Sequence, residues 1–327
     1  MHAAQWAALD PGRREAFERS LTVSGAGAYL LQTYINRTVQ QLTVREMGMQ
    51  AVLDRKPGSG DKAYVNRRAA GSSGGLWVAD TTDGDTAEET GTYTQPSFAF
   101  KTLLTRGKVT RKLQAQARSY GDALATELSG KAEDFADAFE DGCVNGDSRF
   151  ANQFSGALTL INAVAGQVTA NSTLTAGGGV VLANLDAAID SVKGAGNRSD
   201  LVIVASFLGA RKLNAALQAQ QQFTNVTEIA AGFRVRTYDT IPIVVSTRIG
   251  NAMTWSGSSI TDFANGSTTA FIILNRRYCW IEELTPVTVM PLAKTSSQFD
   301  QFDMFTDAAF VLGNSKGAAI LGGIAGS

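Results

Sequence analysis

The sequence predicts a mixed α+β chain, and three observations predict it. Residues 98–118, beginning FAFKTLLTRGKVTRKLQA, alternate in the two-residue period of a strand. A long amphipathic helix follows over 119–143, with Tyr120, Leu124, Leu128, Phe135 and Phe139 recurring at spacings of three, four and seven. From 176 to 276, short apolar runs alternate with helical ones in an α/β pattern.

Composition bounds the rest. A chain of 327 residues can bury one large core or two modest ones. Hydrophobic residues make up 44% and charged ones 18%, which excludes wholesale disorder. The net charge of −1 supplies no global basic field for nucleic acid, so any DNA contact is local. Cys143 and Cys279 are too far apart in sequence for a Cys-x-x-Cys motif, which suits a reducing compartment. The N-terminal stretch has no basic then apolar pattern of a secretory signal. The strongest apolar run, LVIVASFLGA, is about half the length of a membrane span. These features predict a soluble, cytosolic chain with no membrane partner.

In chain order, residues 10–48 mix charged pairs with short apolar groups (Leu30, Leu31, Tyr34, Ile35) and predict an arm that packs on something else. Within 49–97, the stretch 55–92 is rich in glycine, serine and threonine and cannot form its own core. It is also polarised: Arg55, Lys56, Lys62, Arg67 and Arg68 precede Asp80, Asp83, Asp85, Glu88 and Glu89. Either a flexible loop or a two-stranded ribbon with oppositely charged limbs fits that pattern. Ser119 and Asp122 form a capping box for the long helix. Its end, FEDGCVNGDSRFANQFSG, offers Gly142 and Asn145-Gly146 as left-handed and turn residues, with Asp147 and Ser148 to bond the turn. Asn184 is placed to cap a helix bearing Leu185, Ile189 and Val192, closed by Gly194. Leu201–Val204 reads as a buried strand, and Ser206 as the cap of a helix with Ala210, Leu213 and Leu217 inward. Strands follow in FRVRTYDTIPIVVST and TTAFIILNRRYCWIEE, then in TPVTVMPL and DAAFVL, leaving 313–327 as a C-terminal segment.

Catalytic chemistry finds no footing. The lone histidine, His2, lies near the N-terminus, which argues against Ser-His-Asp, Cys-His and histidine-zinc sites. Gly71-Ser72-Ser73-Gly74-Gly75 matches a nucleophile elbow but lacks the strand before it, the helix after it and a histidine. Ser129-Gly130-Lys131-Ala132 lies mid-helix without the first glycine or the hydroxyl of a phosphate loop. An EF-hand register on Gly84 puts Ala79 first and Thr90 last, which fails. Cys143 sits at a helix C-terminus beside Glu140 and Asp141, where every field disfavours a thiolate. Cys279 reads as a core residue. No catalytic, cofactor or metal residue is therefore assigned.

The order of parts resembles the major capsid proteins of tailed bacteriophages, the Hong Kong 97-type fold shared with encapsulin shells. The resemblance rests on AEETGTYTQPSFAFKTLLTRGKVTRKLQAQARSYGDALATELSGKAEDFADAFEDGCVNGDSRFANQFSGAL, together with Ile241-Pro242-Ile243-Val244-Val245-Ser246. It implies an N-terminal arm (1–48), an extended E-loop β-ribbon (49–97) and a P-domain with a spine helix (98–175). It further implies an α/β A-domain (176–276) and closing P-domain strands (277–312). The resemblance implies no enzyme, but a head protein assembling as pentamers and hexamers into an icosahedral shell around double-stranded DNA. Portal and decoration proteins would be its companions. A separate scaffolding protein is expected, since the chain begins almost directly at the arm. The E-loop charges named above, with Tyr64 and Trp77 as apolar anchors, would meet a neighbouring subunit. Some family members join subunits by an isopeptide bond; Lys56 or Lys62 could stand for the lysine, but Asp300 replaces the asparagine, with Asp307 near the glutamate position. Cross-linking is therefore not predicted. The alternatives are an encapsulin-type compartment and an α/β small-molecule enzyme on 176–276.

Overall fold

A computed structural model describes residues 46–68, 91–117, 122–147, 152–175, 177–219, 226–230, 233–256, 259–262, 265–292 and 298–326. Most of the expected arm, Trp77 and the five acidic E-loop residues lie outside the described residues. The described chain enters at helix α1 (Gly48–Val52) and strand β1 (Asp54–Pro57). Strands β2 (Lys62–Tyr64) and β3 (Arg67–Arg68) then run out, and β4 (Tyr93–Thr94) and β5 (Ser97–Ala99) run back antiparallel to them. The root of the E-loop is thus the ribbon, not a loose loop.

Strand β6 (Lys101–Thr110) alternates in burial as the sequence pattern predicts. It does not continue to 118. Residues Arg111–Ala117 form helix α2, because RKLQAQA is composed of strong helix formers and Thr110 Oγ1 accepts the Leu113 N–H at 3.2 Å. Helix α3 (Ala123–Asn145) is the predicted spine, 23 residues long. Its start differs from the expectation: Asp122 itself is the cap, accepting from Leu124 N at 2.9 Å and Ala125 N at 3.2 Å. Ser119 lies outside the described residues. The predicted face is buried at Phe135 and Phe139 and continues through Cys143. Leu124 and Leu128, nearer the start, are half-buried.

The end of α3 also differs. Gly146 has φ −45°, so no left-handed residue stops the helix, and Gly142 lies inside it. Space, not handedness, requires glycine at 146 and is tight at 142. A Cβ on Gly146 would lie 2.3 Å from the Gly142 carbonyl oxygen, and one on Gly142 would lie 3.1 Å from the Phe154 ring.

Helix α4 (Ala157–Asn162), strand β7 (Val168–Ala170) and helix α5 (Leu182–Asp190) follow. Asn184 does not cap α5; it sits in the first turn, and its amide donates to the Asn171 carbonyl. Gly194, at φ +82°, makes the turn that follows. Strand β8 (Leu201–Ala205) is buried throughout, and helix α6 (Phe207–Ala219) is capped by Ser206, whose hydroxyl accepts the Gly209 N–H at 3.0 Å. Strands β9 (Val226–Ala230), β10 (Phe233–Tyr238) and β11 (Ile241–Val245) come next. The β10–β11 turn places Asp239 at φ 46° and Thr240 at φ 65°, left-handed conformations that side chains resist. Strands β12 (Thr254–Ser256), β13 (Ser259–Asp262), β14 (Thr268–Asn275), β15 (Cys279–Pro291), β16 (Phe299–Leu312) and β17 (Ala318–Ala325) complete the described chain.

Two sheets organise these strands. One has the order β1-β15-β16-β6, the other β7-β17-β14-β8-β11-β10-β9. The expected C-terminal segment is therefore strand β17, paired between β7 and β14. Its glycines obscured it. A Cβ on Gly322 would lie 2.4 Å from the Trp255 ring, so close packing demands glycine inside a strand. One core joins α1, α3 and α4 to both sheets; the other packs α5 and α6 on the seven-stranded sheet.

Candidate subunit interface

Helix α1, which precedes the ribbon, is anchored by a buried carboxylate. Glu140 of α3 accepts the Met49 and Gln50 amides of α1 at 2.9 Å each and the Ser246 hydroxyl at 2.7 Å. It is fully buried, and burial outweighs those three hydrogen bonds, pushing its carboxyl above the usual value. Arg248 adds a second tie, donating from Nε to Asp137 at 2.7 Å, while Asn145 donates to the Arg248 carbonyl at 2.7 Å. Sequence spacing carried no signal for this node, because Met49, Glu140 and Ser246 are distant in the chain.

The described E-loop residues divide into two groups. Arg55 pairs with Glu283, Lys56 places its ammonium 3.8 Å over the Trp280 ring, and Arg67 donates to the Gly313 carbonyl at 2.8 Å and to that of Leu312. Burial lowers the Arg67 pKa. These three fasten the ribbon root to its own chain, and Arg67 also lines a cleft of about 360 Å³ with Phe98, Phe154, Leu160 and Phe310. Lys62, Tyr64 and Arg68 make no side-chain bond among the described residues, and Tyr64 is 54% exposed.

The four-stranded sheet presents the larger unfinished surface. On β6, Thr102, Leu104, Arg106 and Lys108 point to the same exposed side, and Leu104 is 54% exposed. Opposite them on β16, Asp303 receives Arg106 in a two-pronged pair, Nε to Oδ1 at 2.6 Å and Nη2 to Oδ2 at 2.8 Å. Those hydrogen bonds hold the Asp303 carboxyl below its usual range. Lys108 lies 3.6 Å over the Phe299 ring. On β15, Leu284, Val287, Val289 and Met290 are exposed by about half. Sequence reading missed these apolar residues as a surface, although the uncharged run LTPVTVMPL was their signal.

The surroundings of both cysteines oppose thiolate chemistry. Burial pushes the Cys143 thiol up, helped by Glu140, and pushes Cys279 up to about 12. Asp300 and Asp307 stand on β16 opposite Val109 and Thr102, and the Thr102 hydroxyl donates to Asp307. Among the described residues, no group of three or more His, Cys, Asp or Glu side chains could hold a metal ion.

The fold has likenesses among solved shell structures. An encapsulin complex of Synechococcus elongatus is similar over 92% of this chain and 95% of its own, at 11% identity and a TM-score of 0.67. The capsid of cyanophage A-1(L) is similar over 90% of this chain and 98% of its own, at 12% identity and a TM-score of 0.66. The capsid of a native GTA particle covers 93% and 98%, at 15% identity and a TM-score of 0.64. No curated protein matches the sequence. These likenesses define the class: the fold is the Hong Kong 97-type capsid fold. The chain belongs to the SU10 major capsid protein family, whose model matches residues 78–325. It is a structural shell protein of the virion that assembles with copies of itself.

Proposed function

We propose that the chain assembles as pentamers and hexamers into an icosahedral head enclosing double-stranded phage DNA. The observation that carries this reading is the ribbon rooted beside a sheet whose strand β15 exposes Leu284, Val287, Val289 and Met290, in a chain of the major capsid protein family. A fivefold-symmetric GTA capsid among its structural likenesses supports pentamers. The pieces are the arm (1–48), E-loop (49–97), P-domain (98–175 with 277–312), A-domain (176–276) and C-terminal segment (313–327). Since β7 and β17 join the seven-stranded sheet, the A-domain unit extends beyond 176–276.

Lys62, Tyr64 and Arg68, with Trp77 and the acidic limb Asp80, Asp83, Asp85, Glu88 and Glu89, meet the neighbouring subunit. Exposed ion pairs there contribute about 0–1 kcal/mol each and set register more than strength. Assembly takes place in the host bacterial cytoplasm with a separate scaffolding protein, a portal and decoration proteins. DNA is contacted without sequence preference, and the chain performs no catalysis, forms no cross-links and engages no membrane.

An encapsulin-type compartment is the second reading, favoured by the Synechococcus elongatus likeness; a cargo-enzyme gene beside this one would support it, whereas terminase and portal genes support the phage head. Negative-stain microscopy of the purified chain with its scaffolding partner tests assembly. Closed, regular particles of megadalton mass are expected, and a stable monomer or dimer under all assembly conditions would refute it. Deleting residues 58–90 is expected to leave a folded core that cannot close shells.

A further inference from the structure

Strand β15 carries an edge that its own chain covers only halfway. β1 pairs in parallel with Trp280–Glu283, and the last main-chain bond on that side runs from Gly58 N–H to the Glu283 carbonyl at 2.8 Å. Beyond it, among the described residues, β15 has a strand partner on one side alone, β16. The Leu292 N–H donates to the Gln301 carbonyl at 3.0 Å, which sets the phase of that antiparallel ladder. Bonded and non-bonded pairs alternate, so Thr288 and Met290 turn their main chain toward β16. Val289, opposite Met304, therefore turns its N–H and C=O to the open side.

The open stretch is apolar as well. Val287, Val289 and Met290 are exposed by 46%, 45% and 50%, and no residue from Leu284 to Leu292 is charged. Soluble proteins usually blunt such an edge with lysine or other charges. Pro286 and Pro291 instead bracket it, leaving a short template of Val287–Met290 that only a strand in the right register can extend.

We propose that residues 28–39 of a second copy add to this edge as a strand. The added strand would continue the row that β1 begins on the same side of β15. The segment AYLLQTYINRTV places Tyr29, Leu31, Thr33 and Ile35 at alternate positions and carries no charge before Arg37, the pattern of an extended donor. The chain assembles with copies of itself, so in a shell the arm of a neighbouring copy can lie along this edge. Main-chain bonding to Val289 would give affinity, and the apolar side chains flanking it would select the donor.

Copies carrying Leu31→Cys and copies carrying Val289→Cys, mixed before assembly and oxidised as shells, test this pairing. Val287→Cys is the second acceptor position should Val289→Cys lower assembly. The expected result is a disulfide-linked dimer on a non-reducing gel from mixed shells, absent when either variant assembles alone. Closed shells that remain monomeric on the gel would overturn the pairing, as would linkage of Val289→Cys to Trp77→Cys copies instead. Val289→Asp is expected to lose closed shells while leaving the unfolding midpoint of the free subunit unchanged; unaltered shell yield also counts against the edge. Because this pairing presupposes a shell, the two failures separate. Closed particles without the cross-link sink the pairing alone, whereas an unaltered chain that never closes sinks the shell reading.

Discussion

The two sheets of this subunit solve opposite problems. In the seven-stranded sheet, β8 and β14 are buried along their whole length, with α5 and α6 packed on them. In the four-stranded sheet, β6 exposes alternate residues and the distal half of β15 is exposed on both faces. Burial of apolar area at about 25 cal/mol per Å² stabilises the first without outside help. The second buries one face in the subunit's own core and leaves apolar side chains of β15 exposed among the described residues. One sheet is closed within the subunit, and the other is closed only in part.

The contrast can be broken most forcefully at Phe271. It is fully buried on β14, and its ring is so close to Gly209 that a Cβ there would sit 2.6 Å away. Phe271→Ala is expected to cost about 3–5 kcal/mol in urea unfolding of the free subunit, because helix and sheet cannot collapse into the gap.

Next in size is the tie between the regions. Glu140→Ala leaves the buried Met49 amide unpaired and is expected to cost about 2–3 kcal/mol. The pH dependence has a definite sign. A carboxyl raised in the folded state binds its proton more tightly folded than unfolded. Its contribution is fully present below the ordinary value of 4.5 and is lost as pH rises through the raised folded value. Stability measured at stepped pH should show that loss in the unaltered chain and not in Glu140→Gln; an identical slope in both would exclude Glu140 as its source.

A smaller effect sharpens the picture from the other direction. Thr240→Gly relieves a β-branched residue at φ 65° and is expected to stabilise the seven-stranded unit by about 1 kcal/mol, read as a raised unfolding midpoint. The smallest is Leu104→Ser on the exposed sheet. It should change free-subunit stability by less than about 0.5 kcal/mol, yet lower the yield of closed shells. A large loss of subunit stability would mean that this face is already in use within the monomer.

How much of this was legible in the sequence follows the same division. Phe135 and Phe139 announced the spine helix because their periodicity is local, and Ser206 announced α6 because a cap acts over three residues. The strand at Arg111–Ala117 was misread because alternation through Val109 runs on into residues whose propensity is helical. β17 was unrecognisable because Gly322 answers to Trp255, a neighbour far away in the chain. The interface was legible as composition: a charged, core-poor ribbon and an uncharged TPVTVMP run. Which members are spent at home was not, since the Arg67 contacts with Leu312 and Gly313 bridge more than two hundred residues.

The position of β17 has a consequence for timing. It fills the gap between β7, at residues 168–170, and β14, so the seven-stranded sheet cannot close until residues 318–325 have emerged from the ribosome. Such non-local pairing slows folding. A nascent subunit would therefore hold its α/β core open from the synthesis of β7 until that of β17, and partners that recognise only the finished core would be kept from half-made chains on the same message.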